Sequence, residues 1–75
     1  MRSDRYVQQA ADGGWDVVKE GHVRATAHGV TKQDAVRTAR ELVRQEGGGE
    51  VLVLNRSGKV VESDRIKRRR SRAAA

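Results

Sequence analysis

One stretch of this chain carries apolar residues at helical spacing, and it is bounded sharply at both ends. Ala35, Val36, Ala39, Leu42 and Val43 fall at i, i+1, i+4, i+7 and i+8, a single stripe along a helix. Thr31 is placed to cap the N-terminus, with Asp34 three residues on in a capping-box position. Gly47-Gly48-Gly49 ends the segment, because glycine tolerates the left-handed backbone of a helix C-terminus. The spacing predicts one helix over 31–46.

The other apolar clusters are short and separated by turn residues, which reads as strand. Arg5–Ala10 is the first, with Tyr6 and Val7 as its strongest β formers. Ala11-Asp12-Gly13-Gly14 is a hairpin turn, since its glycines supply positive φ. In a second strand, Trp15–Glu20, the residues Trp15, Val17 and Lys19 share one face, and Asp16, Val18 and Glu20 the other. Gly21-His22 turns into a third strand, Val23–His28, which completes a meander. Glu50–Asn55 is a fourth. Its Val51-Leu52-Val53-Leu54 run is continuous, so cover is expected on both faces, and the helix supplies only one. Asn55-Arg56-Ser57-Gly58 turns into a fifth strand, Lys59–Ser63. The expected fold is α+β: a small antiparallel sheet with one helix packed across it, order β-β-β-α-β-β. It forms one domain over 1–64, followed by a disordered basic tail over 65–75.

A chain of 75 residues buries little surface, and this one contains no Cys to staple it. Oligomerisation is the remaining route to added stability. No apolar run approaches the roughly 18 residues that span a bilayer. Met1-Arg2-Ser3-Asp4 has no apolar stretch behind it, so no signal peptide and a cytoplasmic location are expected.

The net charge is +6, and its placement matters more than its size. Residues 1–64 hold ten Lys/Arg and ten Asp/Glu, which cancel. The excess lies in Arg65, Lys67, Arg68, Arg69, Arg70 and Arg72. Such a cluster neutralises phosphates and releases their counterions, a sequence-independent route to DNA or RNA. It would also attract anionic lipid, but no amphipathic or lipidated anchor accompanies it, so no membrane partner is expected. Arg37, Arg40 and Arg44, at i, i+3 and i+7, form a second cationic stripe on the helix, with Gln33 one turn before. Arg37 is also spaced to pair with Glu41.

Catalysis is hard to support. A core of one helix and one small sheet leaves little room for a pocket, and no Ser/His/acid or Cys/His set can be assembled. His22 and His28 are too few for a metal cage. The glycine run follows a helix, whereas phosphate loops precede one. No catalytic residue, cofactor, metal or small-molecule substrate is therefore expected. Trp15 reads as the keystone of a small core ahead of a base-stacking platform.

Certain residues resemble a small bacterial family, DUF2188, a domain of unknown function. They are Tyr6; Gly14-Trp15 followed by Val17, Lys19 and Gly21; Arg24-Ala25; Thr31-Lys32 with Ala35, Ala39, Glu41 and Leu42; and Gly48 and Arg56-x-Gly58. The likeness runs from Tyr6 to Val61; the lack of a proline near the first turn and the Arg-rich end depart from it. The resemblance implies the fold and carries no activity. At fold level, a sheet crossed by one helix is also similar to the small DNA-binding domains at integrase N-termini. By that analogy the exposed sheet face would present Arg5, Lys19, Arg24 and Thr26, interrupted by Asp16 and Glu20. Two functions follow as expectations. One is non-enzymatic nucleic-acid association through Arg37, Arg40, Arg44 and the 65–72 cluster. The other is a protein-interaction or homodimerising module that covers the second face of the sheet.

Overall fold

The computed structural model describes residues 4–21 and 25–67. Strands β1 (Arg5–Gln9), β2 (Trp15–Lys19) and β3 (Ala25–Gly29) precede helix α1 (Lys32–Gln45), and β4 (Gly49–Leu54) and β5 (Val60–Ile66) follow it. They form one five-stranded sheet in the order β3-β2-β1-β4-β5. The order β-β-β-α-β-β is as expected, and the sheet is mixed. β1 and β2, β2 and β3, and β4 and β5 run antiparallel, whereas β1 and β4 pair in parallel at the centre. The helix is the reason. It carries the chain back along the sheet, so β4 starts at the same end as β1 and runs beside it.

The helix begins and ends as its sequence dictates. Thr31 has an extended backbone, and its hydroxyl accepts from the Asp34 N–H at 3.1 Å. Past the last turn, Gly47 and Gly48 take positive φ, and the Gly48 N–H donates to the Val43 carbonyl at 2.8 Å.

Alternation along the strands fixes which side chains meet α1. Val7 lies opposite Val17 and Val53, and Val17 opposite Ala27, so these four share the helix side. Val7, Val17, Val43 and Val51 are the largest fully buried side chains, each contributing about 1.5–3 kcal/mol relative to exposure. Ala35 and Ala39 are fully buried beneath α1, and their small size lets the helix lie close to the sheet. Trp15, Ala27, Val36 and Leu42 pack against this core from its margins. Trp15 thus serves the core and is half-buried on the helix side.

Two placements differ from the sequence reading. Arg5, expected with Lys19 on an exposed face, follows the parity of Val7 and Val17 to the helix side. There Arg5 is 2 % exposed, and its Nη2 donates to the Glu46 carboxylate at 2.9 Å. That puts its guanidinium at the C-terminal end of α1, where the helix dipole favours positive charge. Second, the fifth strand continues to Ile66, which is buried opposite Gly49. Arg65 therefore belongs to the sheet, where the sequence placed the start of a disordered tail. His22, Val23, Arg24 and the disorder expected over 68–75 lie outside the described residues.

Gly29 sets the closest approach of helix and sheet. A Cβ there would meet the Ala35 backbone nitrogen at 2.7 Å. Gly29→Ala should therefore destabilise the fold by about 1–3 kcal/mol through overpacking. Urea unfolding checks this, and an unchanged midpoint would show that the helix start is not held there.

Candidate nucleic-acid interface

The sequence-predicted cations fall into three groups. Arg37, Arg40 and Arg44 share the outward flank of α1. That flank borders β5, because Arg40 Nη1 lies 2.9 Å from Asp64 Oδ2 and Lys32 pairs with Glu62, both carboxylates belonging to β5. Arg44 Nη1 pairs with Glu41 at 3.0 Å, a contact the sequence had assigned to Arg37. Both arginines are within reach, since about one turn separates Glu41 from Arg37 and from Arg44 alike. Arg37 is exposed and makes no ion pair with a carboxylate among the described residues. The Arg40 and Arg44 pairs are roughly half-exposed, and surface pairs of this kind contribute only about 0–1 kcal/mol. Either arginine can exchange its carboxylate for another anion at small cost.

Arg65 forms the second group. It lies on β5 opposite Glu50, on the sheet face turned away from α1. The sheet thus separates it from the helix stripe. Lys67 begins the third group. It is exposed directly beyond β5, and Arg68, Arg69, Arg70 and Arg72 lie outside the described residues.

Glu62 and Asp64 were not singled out in the sequence, and Lys32 entered only through the family resemblance. Lys32 and Glu62 are 30 positions apart, and no local pattern links them. The pairing of β4 with β5 was the missing fact. It sets Asp64 opposite Val51 and Glu62 opposite Val53, turning both toward α1.

The sheet face away from α1 is poorly suited to phosphate. Glu20, Asp4 and Glu50 gather near one end, where the Tyr6 hydroxyl donates to Glu20 Oε1 at 3.1 Å. This hydrogen bond, with burial and the negative charges of Glu20, Asp4 and Glu50, raises the Tyr6 phenol above its ordinary range. Asp16 lies on the same face with His28, whose Nδ1 is 2.8 Å from Asp16 Oδ1 and whose Nε2 is 3.6 Å from Asp12 Oδ2. Neither Arg5 nor Lys19 faces that way.

Among the described residues, no group of three or more His, Cys, Asp or Glu side chains is placed to hold a metal ion. Nor is any described helix long and apolar enough to cross a membrane. A depression on the outer surface of α1 is lined by Gln33, Val36, Arg37, Arg40, Glu41 and Arg44 among others, all from α1. With no second element for a wall, it is an open surface.

Residues 5–66 match the family model described as an uncharacterized protein conserved in bacteria, DUF2188. The chain belongs to this family. The match takes in all five strands and the helix, and it ends at Ile66, the last residue of β5. No curated protein and no solved structure gives a significant match.

The His28 cluster gives a test by pH. The hydrogen bond to Asp16 raises the imidazole pKa above its ordinary value, against the opposing effect of desolvation and with help from the charges of Asp12 and Asp16. A raised folded-state pKa means that the protonated form stabilises the fold. That contribution is present below the ordinary imidazole pKa and is lost as pH rises through the raised one. NMR titration should show His28 titrating high, and Asp16→Asn should bring it back toward the ordinary value. An unshifted His28 in the native chain would rule out the pairing.

Proposed function

We propose that this chain is a cytoplasmic, non-enzymatic protein that associates with DNA or RNA through backbone electrostatics. One observation carries the reading. The arginine flank of α1 borders β5, and the Lys67–Arg72 run leaves from the end of that same strand. Phosphate contacts supply affinity without reading sequence. The run contributes most of the charge. Arg37, Arg40 and Arg44 give the folded body a surface that the same backbone can follow. Arg65 lies outside this track because the sheet stands between. The acidic end of the other face turns polyanions toward the helix side. The open depression on α1 suits an extended backbone better than an enclosed small molecule.

A mobility-shift series over salt, with mixed-sequence DNA and RNA, tests the proposal. The full chain should bind at low salt and weaken steeply as salt rises. Replacing Arg68, Arg69, Arg70 and Arg72 by Gln should reduce the slope of log K against log salt by about 0.9 per lost phosphate contact on duplex DNA. Asp64→Asn should strengthen binding by releasing Arg40 from its partner. Binding that ignores both the Gln substitutions and the salt would refute the reading.

A further inference from the structure

Arg56 and Lys59 stand on the turn that joins β4 to β5. Both are exposed, and neither has a carboxylate partner among the described residues. The turn itself, Asn55-Arg56-Ser57-Gly58-Lys59, contains no acid. It is closed by its own hydrogen bonds. The Asn55 side-chain oxygen accepts from the Ser57 N–H at 2.9 Å and from the Lys59 N–H at 3.0 Å. The Asn55 N–H donates to the Lys59 carbonyl at 2.9 Å, and the Gly58 N–H to the Asn55 carbonyl at 2.9 Å. Gly58 supplies the positive φ of 84° that the turn requires.

Both cations lie on the helix side of the sheet. Arg56 Nε donates to Gln9 Oε1 at 2.8 Å, and Gln9 has the parity of Val7. Lys59 precedes Val60, which lies opposite Leu54 on the far face, so alternation turns Lys59 toward α1. We infer, resting on the nucleic-acid association proposed above, that this turn is a second phosphate anchor. The bound backbone then runs along the β5 side of α1, from Arg56 and Lys59 at one end to Lys67 at the other.

Lys59 and Lys67 flank β5, about 26 Å apart at roughly 3.3 Å per residue. Between them, Lys32 pairs with Glu62 and Arg40 with Asp64. Those pairs hold α1 alongside β5 over this length, so the turn, the arginine flank and Lys67 border one surface. Cations spaced along such a surface match a chain of phosphates, whereas a single phosphate would meet only one end. The opposing charge falls elsewhere, because Asp4, Asp16, Glu20 and Glu50 lie toward the far face. A turn already closed by its own hydrogen bonds has little ordering left to lose when a phosphate arrives.

Mobility shifts of the full chain on mixed-sequence duplex DNA, across a salt series, test the anchor. Arg56→Gln and Lys59→Gln should each weaken binding at low salt by roughly three- to tenfold, and each should lower the slope of log K against log salt by about 0.9. Arg65→Gln removes the same charge from the far face and should change both far less. All three residues are exposed, and far-UV circular dichroism checks that each variant folds. Binding that falls with the Gln substitutions at Arg68, Arg69, Arg70 and Arg72, yet ignores those at Arg56 and Lys59, overturns the anchor and leaves the association standing. An equal loss from Arg65→Gln reduces the effect to net charge and overturns the anchor as well. A native chain without salt-dependent binding overturns both.

Discussion

The close approach of α1 to the sheet governs the rest of this structure. Fully buried Ala35 and Ala39 face the strands, and Gly29 leaves room for the backbone at Ala35. A helix held at that distance lets side chains no larger than valine fill the fully buried centre, as dense interiors require. Larger residues are pushed to the margins, where Trp15 and Leu42 sit. The same approach brings the C-terminus of α1 over β1, so that Arg5 reaches Glu46 from beneath. A buried guanidinium with only a partly exposed carboxylate is a weak source of stability. Removing one member leaves the other stranded, so the pair fixes where the helix must end.

Charge is sorted by the two faces of the sheet. On the helix side, Lys32 and Arg40 reach across to the carboxylates of β5, tying α1 to the edge strand through water-accessible pairs. These contacts are individually weak, and they stand where few apolar contacts join α1 to β5. The opposite face collects carboxylates near one end and apolar side chains beside them. The arginine stripe of α1 and the Asp4, Glu20 and Glu50 group therefore lie on opposite sides of the sheet.

Much of this was legible in the sequence, and the parts that were not share one cause. The helix, its threonine cap and its glycine stop are local features, written within a few residues of where they act. The turns and the order of elements follow from equally short patterns. The parallel pairing of β1 with β4 joins segments more than 40 residues apart, and composition says nothing of it. From that pairing and its neighbour β5 come the facts that were missed: the reach of β5 to Ile66, and the acids opposite Arg40 and Lys32. Arg5 is a separate case. Its charge suggested an exposed position, while the parity set by Val7 and Val17 had already turned it inward. Alternation is the stronger rule here, since one residue of slip would expose the whole core face.

Ile66 is the last buried side chain among the described residues, and the arginine cluster follows almost at once. Ile66 thus marks where the described packing ends. Upstream of it, a change of one methyl group alters packing. Downstream, arginines can be gained or lost over evolutionary time without disturbing any buried contact described for the globule. Charge beyond Ile66 is therefore decoupled from every contact described for the fold.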